Sequence, residues 1–271
     1  MAKIFFFGHP KSPHRARFFR SLAYFAVAMG VIVGVSGAIK AEDAASAPEE
    51  LTELLSQIEV AANTGEVEEI AEFYSESFTN SDNLSRDELL ESLAQFWSNY
   101  SQLNYDTELK SWEAKGQQMV VEVVTNITGV GEKNGREVKL ESTLRSRQTF
   151  QGQQIINQEI LAEQTKLLLG ENPPEVTVNL PQQVRPGQRY NFDVIVDEPL
   201  AGDLLLGSAI EELVSEDLYR EPSKFELEVL PSGGIFKIGR APLRVGDEWV
   251  SAILIRSDGM TIVSQRLKVA D

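Results

Sequence analysis

The pattern of apolar and polar positions divides the chain into four textures. From Ser21 to Ile39 there are nineteen consecutive uncharged residues, preceded by Arg15, Arg17 and Arg20 and followed by Lys40, Glu42 and Asp43. As a helix this run spans roughly 28 Å, close to the hydrocarbon thickness of a bilayer. Cations on its N-terminal side predict an N-in, C-out orientation. Two readings stay open: an uncleaved anchor, or a signal peptide cut after Ala38, where Ser36 and Ala38 are the small residues that a signal peptidase needs. Ala26, Gly30, Gly34 and Ala38 recur every four residues, as in the faces by which membrane helices pack. Residues 1–20 are thus expected to be a cytoplasmic basic segment, 21–39 a transmembrane anchor or signal core, and 40–48 a small, polar linker.

Helical periodicity follows. Leu51, Leu54, Leu55, Ile58, Ala61 and Ala62 form one stripe that stops at Asn63 to Gly65. Val67, Ile70, Ala71, Tyr74 and Phe78 repeat at three and four residues, which predicts a second amphipathic helix. Ser85 and Glu88 have the spacing of a capping box and open a third helix, which runs to about Tyr100 and buries Leu89, Leu90, Leu93, Phe96, Trp97 and Tyr100.

After Leu103 the texture becomes alternating and β-branched. Asn134-Gly135 and Gly152 mark reversals between long strands. Val138, Leu140, Leu144 and Phe150 share one face, while Lys139, Glu141, Thr143, Arg145, Arg147 and Thr149 share the other. The polar face reads as a solvated outer surface, with the lining of a cone as the alternative. Asn172, Pro173 and Pro174 then interrupt the run TKLLLG, which reads as helical. Beyond them, seven short strand-like stretches separated by turn signals such as Arg185-Pro186-Gly187 and Asp258-Gly259 predict a Greek-key β-sandwich.

Charge and composition narrow the function classes. Residues 1–41 hold six cations and no carboxylate, leaving 19 of the 25 cations against all 41 carboxylates. A surface so acidic repels phosphates, so no nucleic-acid partner is expected. There is no cysteine, and the two histidines, His9 and His14, precede the apolar run. That excludes disulfides, thiol nucleophiles, histidine-assisted hydrolysis and His/Cys zinc sites from the rest of the chain, and no metal or cofactor is expected there.

The order of three helices and then long hairpins, with TGEVEEIAEFYSESF, SRDELLESLAQFW and LRSRQTFQGQQIINQEI, resembles the nuclear-transport-factor-2-like superfamily, which includes ketosteroid isomerases. The resemblance covers 49–168 and implies a bent sheet curled into a cone closed by helices. In such a cone Tyr74, Trp97, Tyr100 and Tyr105 are candidate ligand-lining residues. An acid–base site would need a buried carboxylate, for which Asp82, Asp87 and Asp106 are candidates, opposite a tyrosine hydroxyl. None of these matches a family catalytic position, and no catalytic residue is assigned. Residues 173–271 resemble bacterial immunoglobulin-like modules.

The expected fold class is therefore α+β: an N-terminal membrane helix, a cone-like domain with a bent antiparallel sheet, then an all-β sandwich. The expected function is a membrane-tethered, extracytoplasmic, non-enzymatic binding or assembly module in the periplasm or thylakoid lumen. Its expected partners are proteins at or near the membrane, with a homodimer through the first exported domain as a further possibility. The alternatives are a small-ligand carrier or an Asp/Tyr isomerase or cyclase using the cone. For location, the alternative is secretion after cleavage near Ala38.

Overall fold

The computed structural model describes residues 41–200, 202–220 and 223–271. The expected membrane segment, with Ala26, Gly30, Gly34 and Ala38, lies outside them. Among the described residues no helix is long and apolar enough to cross a membrane.

A short strand β1 (Glu42–Asp43) and a single 3-10 turn lead into α1 (Glu49–Thr64), α2 (Val67–Ala71), β2 (Tyr74–Asn80) and α3 (Arg86–Trp97). Four long strands follow: β3 (Gln102–Lys115), β4 (Gln118–Lys133), β5 (Arg136–Gln151) and β6 (Gln154–Gly170). The C-terminal part contains β7 (Val176–Asn179), β8 (Gln183–Val184), β9 (Arg189–Val196), β10 (Leu206–Leu213), α4 (Glu216–Arg220), β11 (Glu228–Val229), β12 (Gly234–Arg240), β13 (Gly246–Ile255) and β14 (Gly259–Val269).

Local chemistry explains the boundaries. Gly65 closes α1 at φ 75°, where a side chain would be strained. The Ser85 hydroxyl accepts from the Glu88 N–H and the Glu88 carboxylate accepts from the Ser85 N–H, the reciprocal cap that the spacing predicts. Asn134 and Gly135, at φ 53° and 73°, turn β4 into β5. Along β5 burial alternates strictly from Val138 to Gln148.

Several expectations need correction. The second helix stops at Ala71, and Tyr74 to Asn80 form a strand running parallel to β6. Tyr74 and Phe78 are four apart, which places them on one face of a helix but equally on one face of a strand, so their spacing does not discriminate. The segment TKLLLG is likewise the end of β6, with Thr165, Leu167 and Leu169 buried on one side.

The fold class changes with it, because most described residues are in strands and one sheet runs through both parts of the molecule. Its order is β1-β3-β4-β5-β6-β14-β13-β10-β11, with β2 also on β6 and β8 on β14. The edge of β6 facing away from β5 is shared: β2 takes Ile155 to Gln158, and β14 takes Gln164 to Gly170. The expectation of a helical membrane segment, a cone sheet and a separate sandwich is thus replaced by a mostly β architecture built on this shared strand.

A three-stranded sheet, β12-β9-β7, faces the C-terminal end of the large sheet. Phe192, Val194 and Ile235 from it and Val250, Leu254, Val263 and Leu267 from the large sheet form one core. On the opposite face of β13 and β14, Trp249, Ile253 and Ile262 join the core built around α1, α3 and the long strands. Burial on both faces explains the nearly unbroken apolar run WVSAILI of β13.

The junction of β6 and β14 has no room for side chains. Gly170 pairs with Gly259, and a Cβ on Gly259 would lie 2.3 Å from the Pro173 nitrogen and 2.4 Å from the Asn172 oxygen. Both contacts are backbone and cannot rotate away. Gly259→Ala is expected to lower stability by about 1–3 kcal/mol, as overpacking does; urea unfolding of the described region measures it.

Candidate functional site

Among the described residues, two clusters of buried polar groups bring together the candidate residues. The first lines a cavity of about 100 Å³ between the helices and the concave face of the long strands. Its wall is mainly apolar, with Leu55, Ile58, Leu93, Phe96, Ile127 and Leu144, and its polar groups come from Glu59, Tyr74, Trp97, Tyr105, Thr107, Thr125, Gln148 and Gln158. The volume is below the roughly 300–1,000 Å³ usual for drug-sized ligands.

Of the four candidate residues, Tyr74, Trp97 and Tyr105 line this cavity. Trp97 Nε1 donates to the Tyr105 hydroxyl at 2.8 Å, and their rings meet edge to face. Tyr100 lies elsewhere, edge to face with Phe96 at 5.2 Å and lining a groove between the end of α1 and the start of β3. It falls at the end of α3, where the helical stripe has already closed.

Burial pushes the Tyr74 hydroxyl up to about 12, and burial raises Tyr105 and Tyr100 as well, so all three are neutral donors at physiological pH. The carboxylate on the wall, Glu59, is half-buried and accepts from the Thr107 N–H at 2.6 Å. Asn63 brackets Tyr105 in the same way, donating to its carbonyl at 3.0 Å and accepting from its N–H at 2.7 Å. These α1 side chains cover the outer edge of β3, which would otherwise expose unpaired backbone groups.

The three candidate bases are not in the cavity lining. Asp106 is exposed on β3, and Asp87 is exposed in the first turn of α3, 3.8 Å from the Arg86 guanidinium. Asp82 is buried, but it belongs to the second cluster.

That cluster is centred on Arg266 at the end of β14, whose side chain is 1% exposed. Its guanidinium bonds Asp82 at 3.0 and 2.7 Å, Glu163 at 3.1 Å and Asp247 at 3.0 Å. The Trp249 ring lies under it at 5.5 Å, and Trp249 Nε1 donates to Glu163 at 3.2 Å. The Tyr219 hydroxyl, carried by α4, donates to Asp82 in a short bond, and its ring meets Trp249 edge to face at 4.8 Å.

Topology explains the gathering. Both β2 and β14 point their C-terminal ends at the same stretch of β6, from opposite directions. Asp82 continues from one end, Arg266 from the other, and Glu163 of β6 lies between. Burial alone would raise the Asp82 carboxyl, but the Arg266 bonds and charge outweigh it and hold the group below its ordinary 3.8. Arg266 is raised well above its usual value: burial opposes its charge, and the surrounding carboxylates more than restore it. The individual signals were present in sequence only as two Asp, one Glu and one Arg, the farthest 184 positions apart, with no local motif to connect them.

The polar face of β5 faces outward as a ladder in which Arg145 bonds Glu122 and Arg147 bonds Glu159 at 2.7 Å. Glu141, on the same face, is also exposed. Among the described residues no group of three or more His, Cys, Asp or Glu side chains is arranged to hold a metal ion.

A family model described as a domain of unknown function (DUF8623) matches residues 171–270, the C-terminal part alone. No curated protein matches the sequence. Similar solved structures include Bd1075 of Bdellovibrio bacteriovorus, at 15% identity and a TM-score of 0.31, over 41% of this chain and 40% of that one. A proposed scytalone dehydratase from Novosphingobium aromaticivorans is similar at 12% identity and TM-score 0.34, over 41% of this chain and 79% of the other. A proposed dehydratase of the nuclear-transport-factor-2-like family from Streptomyces avermitilis has the same identity and score, over 41% and 93%. Nuclear-transport-factor-2-like folds are thus among the structural neighbours, at low identity.

Removing the cation strands buried carboxylates, so Arg266→Met is expected to cost about 3–5 kcal/mol. Pairing it with Asp82→Leu and Glu163→Leu should return much of that, and denaturant midpoints distinguish the two outcomes. The pH dependence has a definite sign. Asp82 is depressed in the folded state, so its contribution is complete above the unfolded value of 3.8 and disappears as pH falls through the lower folded value. Thermal melts of the wild type should fall steeply below about pH 4, and an Asp82→Asn variant should lose part of that slope.

Proposed function

We propose that this protein is a non-enzymatic, extracytoplasmic assembly module that engages protein partners near a membrane. The observation that carries the proposal is the position of Asp82. It is the candidate base that is buried, and it is held by Arg266 and Tyr219 instead of facing the cavity. The cavity is left with neutral tyrosine hydroxyls, amides and one half-buried glutamate tied to backbone, which is a poor set for moving protons. The ion cluster meanwhile ties the helical part and the sandwich into one body, which suits a protein whose surfaces must keep a fixed relation.

A nuclear-transport-factor-2-like identity for 49–168 and an immunoglobulin-like identity for 173–271 accord with this use, since both architectures serve widely as binding modules. The basic residues before position 21 and the uncharged run after it support delivery across a membrane, with the bulk in a periplasm or thylakoid lumen. Homodimerisation through the outer face of the first sheet belongs to the same proposal. The 100 Å³ cavity favours a second reading, a carrier of a small apolar guest with one polar atom oriented by Tyr74 or Gln158.

One variant separates these readings. Ala62→Leu fills the cavity from α1. In cross-linking of the full-length protein in its own membranes, an assembly module should retain its partner adducts in this variant. Loss of those adducts together with loss of a co-purifying small molecule would establish the carrier instead. Light scattering on residues 41–271 is expected to give a dimer, and a monomer at high concentration removes pairing through this region.

A further inference from the structure

The exposed arginines of the sandwich gather at one end of its strands. At the opposite end lie Glu171, Glu175, Asp197, Glu198, Asp203 and Asp258. The backbone bonds Glu171 to Asp258 and Asp197 to Glu175 hold this end together, and Arg256 is paired there with Glu198 and Asp203. At the other end lie Arg185, Arg189, Arg240 and Arg244, all exposed. Arg189 and Arg240 are direct cross-strand partners on β9 and β12. The turn carrying Arg185 is joined to the loop carrying Arg244 by the Gly187 N–H to Pro242 carbonyl bond at 2.9 Å and the Ala241 N–H to Gln188 carbonyl bond at 2.9 Å. None of the four arginines forms an ion pair with another described residue. Carboxylates also flank this end: Asp247 is bonded to Arg266, Glu248 lines one hollow with Arg244 and Val245, Glu211 and Glu212 lie across from Val250 and Trp249 of β13, and Asp271 follows the Ala270 N–H to Val184 carbonyl bond.

The same end exposes apolar side chains. Leu243 is 86% exposed and sits in the loop between Arg240 and Arg244, with a methyl group close to Gly187. Val245 beside it and Ile238 on β12 are 62% and 63% exposed. Among partly buried cores and a strongly acidic remainder, a protruding leucine ringed by unpaired arginines is an unusual surface. Single exposed apolar residues need no explanation, but apolar tips set in a cationic collar match one environment closely. The outer part of an anionic bilayer offers phosphates for guanidinium groups and an acyl boundary for leucine and valine.

We propose that this arginine and leucine end of the sandwich docks on an anionic lipid surface, with Leu243 and Val245 entering the interface and Arg185, Arg189, Arg240 and Arg244 contacting headgroup phosphates. The acidic opposite end is repelled, so the charge separation orients the sandwich with its strands steep to the bilayer. This contact is independent of residues 1–40 and does not rest on how they are held. It also refines the inference from net charge: the exported surface as a whole repels anionic lipid, while one end of it is built to approach it.

The chain's lack of cysteine makes the test direct. An environment-sensitive fluorophore is attached to Leu243→Cys in the full-length protein, and separately to Gln153→Cys in the exposed β5–β6 turn as a control. Each is placed with nanodiscs of phosphatidylcholine alone or with about one-third phosphatidylglycerol. The Leu243 probe should shift to an apolar emission only with phosphatidylglycerol, while the Gln153 probe stays water-like. Arg240→Gln with Arg244→Gln should lower the docked fraction about tenfold, and high salt should do the same. Val245→Cys repeats the measurement in case the first label disturbs the loop, and melting of each labelled protein checks its fold. A water-like Leu243 and Val245 signal with anionic nanodiscs overturns the proposal. So does an equal shift in phosphatidylcholine or in the double arginine variant, which would mean an apolar contact without headgroup recognition. Co-elution with the nanodiscs reports separately on residues 1–40.

Discussion

A buried guanidinium with three carboxylates around it holds the two halves of this protein together. Arg266 sits where two strands from distant parts of the chain end against a third, and it bonds one acidic group from each side of the gap and one from its own sheet. Taking these charges out of water is costly, and only mutual pairing, the Trp249 ring and the Tyr219 hydroxyl offset that cost. The arrangement therefore works only when every member is in place. It makes docking of the sandwich against the helical part conditional on correct pairing of β6 with both β2 and β14.

The continuity of the sheet follows from the same place. β6 is seventeen residues long and pairs with β5 along nearly all of one edge, while β2 and β14 divide the other edge between them. Two glycines facing each other at Gly170 and Gly259 let the strands turn away closely beyond the last pair. Because β13 and β14 are covered on both faces, the core under the helices and the core of the sandwich share a wall. Motion of one part against the other would expose Trp249 and Arg266 together.

This economy of buried charge bears on function. A cone able to do acid–base chemistry needs an ionisable group in a dry site with freedom to change its protonation. Here Asp82, Glu163 and Asp247 are held by a cation outside the cavity, and the cavity itself presents neutral hydroxyls, amides and one half-buried glutamate tied to backbone. The surface charges include an ion-paired ladder on the long strands and four exposed arginines at one end of the sandwich that form no ion pair among the described residues.

Part of this was legible in the residues. Alternation along Val138 to Phe150, the Ser85 and Glu88 cap, the Asn134-Gly135 turn and the absence of cysteine and of histidine after His14 are local facts, decided by side-chain period and backbone chemistry. They sufficed for three helical starts, the long hairpins, the strands of the sandwich and the polarity of the β5 faces. Where spacing was ambiguous the sequence could not decide, as with Tyr74 and Phe78, whose separation suits both periods, and with TKLLLG, whose leucines suit any buried element. What only the tertiary structure decided was everything that depends on strands meeting: the single sheet through both parts, the place of Asp82 beside Arg266 instead of in the cavity, and the arginine collar around Leu243. Residues 82, 163 and 266 acquire their meaning from proximity, and proximity between such distant positions is set by the pairing of whole strands.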